Sequence, residues 1–219
     1  MRCIVFVGPT AANLDREALA SEELVLREPA RRGSIGALLR AAPRPGVVAI
    51  VDGIFKHAPS VGHGELRAAL EAGWQVWGLG SMGAIRAAEM DHLGLRGYGR
   101  VYARYRNDPS LPDDEVALLH GPGPEWRPIS EPMLHLREAL AELVRMELLA
   151  PKIGEGIART LAERWFGDRT IPALVEAVVA EVGEENRERA SSTLADFNRF
   201  RIKNMDFVDF VRDRPWQNT

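Results

Sequence analysis

Apolar positions in the first ninety residues come in short blocks. Ile4-Val5-Phe6-Val7 and Val47-Val48-Ala49-Ile50-Val51 are apolar throughout, as strands covered on both faces must be. Leu24 to Leu26 and Gln75 to Leu79 read as two more strands, and residues 33–41, 60–72 and 81–92 carry helical patterns between them. Such alternation implies an α/β fold, a Rossmann-like, doubly wound parallel sheet with right-handed crossovers. From Gly94 to Pro132 the texture turns to Gly, Pro and aromatic residues. Asp114 to His120 reads as a possible further strand, and Gly121-Pro122-Gly123-Pro124 forces a turn before Trp126. Beyond Pro132 the pattern stays helical. Leu136, Leu140 and Leu143 trace one stripe, Pro151 opens a second helix, and residues 171–182, 184–202 and 205–212 read as others. The expected organisation is an α/β domain over residues 1–131 followed by an α-helical C-terminal region over residues 132–219.

Composition narrows the function. The 219 residues are 46% hydrophobic, enough to bury a core, and the net charge of -3 comes with basic residues interleaved among acids. That leaves no basic field for nucleic acid. The apolar N-terminal run is too short for a signal peptide and no later run nears about 18 residues, so a cytoplasmic protein off the membrane is expected. Cys3 is the single cysteine, which excludes an internal disulfide and a multi-cysteine zinc site. Gly8-Pro9-Thr10-Ala11-Ala12 lacks the Gly-Lys-Ser/Thr ending of a phosphate loop, no Gly-x-Gly-x-x-Gly follows a strand, and no histidine pair has helical metal-ligand spacing. Neither a metal nor a cofactor is expected. Asp113-Asp114-Glu115 reads as a solvated acidic turn rather than a cation site.

The candidate chemistry sits where strands end. Gly78-Leu79-Gly80-Ser81-Met82-Gly83 puts Ser81 at a strand-to-helix junction, where helix N–H groups favour negative charge. Ser81 is a helix cap or a nucleophile. The hydrolase elbow asks for glycine two before and two after the serine; Gly83 fits, whereas Leu79 fills the earlier place. The first strand ends at Gly8-Pro9-Thr10 and the third at Asp52-Gly53, followed by a long loop into a helix for which Ser60 is the expected cap. His63 then falls in the first turn. Asp52, His63 and Ser81 thereby have a chance to meet as orienter, base and nucleophile, although Asp52 also suits a plain turn and His63 a surface position. His57 reads as an exposed loop residue and His120 as a strand end. Arg86 and Glu89, three apart on the helix after Ser81, suit either an ion pair or an anion site.

At these residues the chain resembles the TfuA-like family. The likeness rests on Val7-Gly8-Pro9-Thr10, Ile50-Val51-Asp52-Gly53-Ile54-Phe55, Pro59-Ser60-Val61-Gly62-His63-Gly64-Glu65-Leu66, Gly80-Ser81-Met82-Gly83-Ala84-Ile85-Arg86-Ala87-Ala88-Glu89-Met90 and Asp113-Asp114-Glu115-Val116-Ala117, in that order. Gly62 and Gly64 depart from it, standing where an aromatic and a basic residue are expected. The resemblance implies a role beside a YcaO enzyme in peptide-backbone thioamidation, with a ubiquitin-like thiocarboxylated sulfur-carrier protein as the second partner. It implies cleavage of the carrier's C-terminal thiocarboxylate to release sulfide. Ser81 or a water would attack, His63 would take the proton and Asp52 would orient the base. Gly8, Pro9, Ser60, Met82, Gly83, Arg86 and Glu89 would surround the substrate and its oxyanion. A non-catalytic adaptor that activates the YcaO enzyme is the alternative.

Overall fold

The computed structural model describes residues 2–217 except 13, 16–18, 20, 43 and 55–58. The four expected strands form as β1 (Cys3–Phe6), β2 (Leu24–Arg27), β3 (Val47–Ile50) and β4 (Gln75–Leu79), joined by β5 (Arg96–Tyr98). All pair in parallel in the order β2-β1-β3-β4-β5. Chain progression reverses between β1 and β3, and in sheets of this order ligands sit beyond the carboxyl ends of the strands at that point. Phe6 is level with Ile50, and Ile50 with Gly78, so the turns after β1, β3 and β4 leave the sheet along one edge.

Both sheet faces are covered, which explains why β1 and β3 are apolar throughout. Helices α1 (Ser34–Ala41), α2 (His63–Glu71) and α3 (Met82–Met90) bring Ile35, Leu66, Ala69, Ala87 and Met90 against Phe6, Val48, Ile50 and Val76. On the other face Val5, Ala49, Trp77 and Leu79 meet Phe207, Phe210 and Trp216, contributed by helix α9 (Ile202–Asp213) and the turn after it. Cys3 is fully buried there, and burial pushes its thiol up to about 12. The folded protein is therefore expected to resist thiol reagents at pH 8 while the urea-unfolded chain reacts at once, a contrast read by colorimetric thiol titration.

Helix α4 (Gly99–Asn107) follows β5, and both fall where the sequence reads as irregular. Its first turn is held by Asp206 of α9, whose carboxylate accepts from the Val101 N–H at 2.9 Å. Burial raises the Asp206 pKa, against the backbone hydrogen bonds and the Arg100 charge that lower it. The chain divides into two compact units, one of Met1–Leu111, Pro122–Arg127 and Lys203–Thr219, the other of Pro112–Gly121 and Pro128–Ile202. The helical stretch after residue 131 is thus shared between them.

The second unit holds α5 (Met133–Arg145), α6 (Pro151–Glu163), α7 (Ile171–Glu181) and α8 (Glu184–Ala195) around Leu136, Leu140, Leu143, Leu161, Leu174 and Val178. Residues 184–202 are not one helix: a 3-10 turn at Phe197–Phe200 interrupts them and buries both phenylalanine rings in this core. Nor is 114–120 a strand. Asp113–Val116 is a 3-10 turn and only His120 forms a bridge, to Pro128. The physical reason lies in two arginines: buried Arg169 binds the Asp114 carbonyl and carboxylate at 3.1 and 2.7 Å, and Arg137 grips Glu115. The acidic turn is therefore tied into ion pairs.

Just before α5, the buried Glu131 carboxylate meets His135 Nδ1 at 3.0 Å and Arg201 Nε at 3.1 Å. Burial opposes its ionisation, yet the hydrogen bonds and charges of His135 and Arg201 prevail and hold its pKa below the usual range. A lowered carboxylate pKa stabilises the fold above the unfolded-state value and loses that contribution as pH falls through the folded one. Glu131→Gln is accordingly expected to destabilise by about 3 kcal/mol at pH 7, and thermal melts should show its gap from the wild type closing below about pH 4. Among the described residues, no helix is long and apolar enough to cross a membrane.

Candidate active site

Three turns build the site at the carboxyl edge of the sheet. After β1 the chain makes a 3-10 turn, Pro9–Ala11. Asp52, 3% exposed at the end of β3, organises it: one carboxylate oxygen accepts from the Gly8 and Thr10 N–H groups at 2.8 and 2.9 Å, the other from the Thr10 hydroxyl at 2.7 Å. These bonds commit the polar groups of the turn. Neither Gly8 nor Thr10 has an N–H left for an anion, and Pro9 carries none. Asp52 does not hydrogen-bond His63 or Ser81; its work is to fix the β1 turn.

The elbow after β4 depends on close backbone approach. A Cβ on Gly83 would overlap the Ile50 carbonyl oxygen, and one on Gly78 would overlap the Gly83 carbonyl. Gly80 has φ +68°, the left-handed region that glycine enters at no steric cost. Glycine at all three positions lets α3 start pressed against β3 and β4, with the Gly83 N–H donating to the Val51 carbonyl at 3.2 Å. Gly83 is therefore not a spare oxyanion donor. Ser81 stands at the N-cap position, 4% exposed, but its side chain makes no cap hydrogen bond, nor any other among the described residues. The following N–H, of Met82, is likewise without a partner among the described residues. A hydroxyl and the next N–H, both uncommitted at a strand-to-helix elbow, are the arrangement in which a nucleophilic serine and an oxyanion donor adjoin.

Helix α2 begins two residues later than Ser60 would have it. Gly62 is the N-cap and His63 the first helical residue, while the Ser60 hydroxyl donates to the Ile54 carbonyl at 3.3 Å. The capping carboxylate is Glu65, which accepts from the Gly62 N–H at 3.0 Å and also from Gly33 and Ile35 at 3.0 and 3.2 Å, securing the starts of α1 and α2 together. A glutamate three residues after the N-cap, the half of a capping box that a glycine cap still permits, is the signal for it.

His63 has a carboxylate partner, and that partner is Glu89. Nε2 of His63 lies 2.8 Å from Glu89 Oε2, which also accepts from Arg86 Nη1 at 2.5 Å, and Arg86 Nε donates to the Val61 carbonyl at 3.3 Å. Of the two readings open for Arg86 and Glu89, the ion pair along the helix forms, and it takes in a histidine from the neighbouring one. The structure thus makes two polar groups, Asp52 with the β1 turn and His63 with Glu89 and Arg86, and leaves Ser81 hydrogen-bonded to neither. His57 and Phe55 lie outside the described residues.

Two further residues come from far along the chain. Asn204 of α9 donates to the Thr10 carbonyl at 2.7 Å, and the Lys203 carbonyl lies 3.7 Å from the position of a Cβ on Gly80. The first turn of α9 therefore borders the turns after β1 and β4. No local pattern announces it, because Asn204 sits 194 residues from its partner. Among the described residues, no group of three or more His, Cys, Asp or Glu is placed to hold a metal ion.

A family model described as TfuA-like protein matches residues 52–170, more than half of the chain. The match takes in Asp52, His63, Ser81, Arg86 and Glu89 and stops short of the β1 turn and α9. No curated protein matches the chain.

Proposed function

The chain belongs to the TfuA-like family, which associates it with YcaO-dependent peptide thioamidation, and from that premise we propose that it hydrolyses the C-terminal thiocarboxylate of a ubiquitin-like sulfur carrier to release sulfide. The observation that carries this proposal is the uncommitted Ser81 hydroxyl beside the uncommitted Met82 N–H. Ser81 Oγ attacks the thiocarboxyl carbon, the Met82 N–H and Arg86 stabilise the oxyanion, and the C–S bond breaks. The proton from Ser81 passes through His63 to the departing sulfur, which leaves as hydrosulfide. Water then cleaves the acyl-serine ester, giving the carrier carboxylate, one proton and the free hydroxyl.

Glu89 suits His63 to this task. With Nε2–H donated to the Glu89 carboxylate, Nδ1 keeps the lone pair that a general base requires, and the carboxylate stabilises the imidazolium that forms. Catalytic hydrogen bonds are often long before substrate binds, so the open arrangement of His63 and Ser81 is compatible with a base that engages on binding. The same openness favours the second function, an adaptor that stimulates a YcaO enzyme and cleaves nothing.

Purified protein incubated with a thiocarboxylated carrier separates the two. Release of one hydrosulfide per thiocarboxylate is expected, falling about 10²-fold or more in His63→Ala and about 10-fold in Glu89→Gln, with both variants folded. Stimulation of a YcaO partner with no sulfide release from any carrier would establish the adaptor instead.

A further inference from the structure

Between α1 and the edge strand β2, on the α1 face of the sheet, lies a cleft of about 800 Å³. Its rim carries Arg27, Arg31 and Arg32 against one acid, Glu28, and its floor includes Ile4 and Leu38. All three arginines are exposed, and none of their guanidinium groups has a hydrogen-bond or ion-pair partner among the described residues. A protein of net charge -3 thus concentrates a local excess of two positive charges around an apolar trough, with space for a short peptide.

We propose that this cleft docks an extended acidic segment of a partner protein, one that alternates carboxylates with branched apolar side chains. The ligand class follows from what the cleft lacks as well as what it holds. A nucleotide or free phosphate would want the N–H groups at the start of α1, but Gly33 and Ile35 already give theirs to Glu65. Phe6, the aromatic residue in the lining, is only 8% exposed and offers no ring face for a base. Three guanidinium forks distributed over residues 27–32 suit several carboxylates spread along a chain, each able to pair bidentately. The apolar floor then takes the intervening side chains, and the positive rim speeds encounter with a negatively charged partner. This docking does not depend on hydrolysis at Ser81.

The test uses fluorescence anisotropy with the full chain and a labelled octapeptide alternating aspartate and leucine. Saturable binding is expected at low salt, weakening steeply as ionic strength rises. It should fall at least about tenfold in the triple variant Arg27→Ala/Arg31→Ala/Arg32→Ala, and by a similar factor when serine replaces each leucine of the probe. Far-UV circular dichroism checks that the variant is folded, as exposed side chains without partners lead one to expect. Equal binding by the triple variant overturns the proposal, and so does undiminished binding of the serine probe, which would reduce the cleft to a patch of charge. Competition by inorganic pyrophosphate at the affinity of the peptide would overturn it in favour of a small-anion site.

Discussion

Ser81→Ala is expected to abolish sulfide release, lowering the rate by about 10³-fold or more, while leaving the melting temperature within about 2 °C of the wild type. The two halves of that expectation come from one observation. A cap serine exchanged for alanine costs about 1 kcal/mol because a helix N–H loses its acceptor. Here the hydroxyl accepts from no helix N–H, so its removal leaves no buried donor unsatisfied. On the proposed mechanism the reaction loses its nucleophile, and the fold loses almost nothing. Quenched single-turnover reactions, with mass spectrometry for an acyl adduct on Ser81 in the wild type, read the chemical half directly. Full release by the alanine variant would pass the attack to water, whereas a large loss of stability would return Ser81 to a structural role.

Gly83→Ala is expected to do the opposite, damaging the fold first. The added methyl group would overlap the Ile50 carbonyl oxygen, a backbone atom locked into the β3–β4 ladder, so neither a rotamer change nor a flexible neighbour can relieve it. Helix α3 must lift off the strand, opening the contacts of Met82, Ala87 and Met90 and displacing Ser81 with them. A destabilisation of about 3 kcal/mol, equivalent to about 10 °C in the midpoint of thermal unfolding, is expected. Gly64→Ala is the control. Nothing lies within 4 Å of its would-be Cβ, and in a helix alanine replaces glycine favourably, so the midpoint should hold or rise slightly. If both substitutions behaved alike, the close approach of α3 to the sheet would not be what demands glycine at position 83.

The departure from the TfuA-like pattern at Gly62 and Gly64 finds its local explanation in the same helix. Gly62 serves as the N-cap, with its N–H held by Glu65, and neither glycine has another residue pressing on its Cβ position. The start of α2 is thereby kept in place by a carboxylate, without help from bulky side chains at either position.

Much that depends only on neighbours along the chain was legible from the residues. Apolar blocks at Ile4 and Val47 specified strands buried on both sides, the alternation of strand and helix patterns specified a parallel sheet, and the glycines around Ser81 specified a tight elbow at its carboxyl edge. Such features are legible because a strand block, a helical stripe or a turn is a short-range pattern that few alternatives can satisfy. β5 escaped because three residues that include Gly97 carry no apolar block, and α4 because its first turn is held by Asp206, more than a hundred residues away. Tertiary structure alone decided the partners: Asp52 with the β1 turn across 44 residues, His63 with Glu89 instead of Asp52, and α9 returning to close the sheet against Trp77. Each of these polar groups had several compatible partners in the sequence, and a hydrogen bond carries no periodicity that could distinguish them. Which pair meets is settled by strand order and by which helix ends the topology brings within about 3 Å of each other.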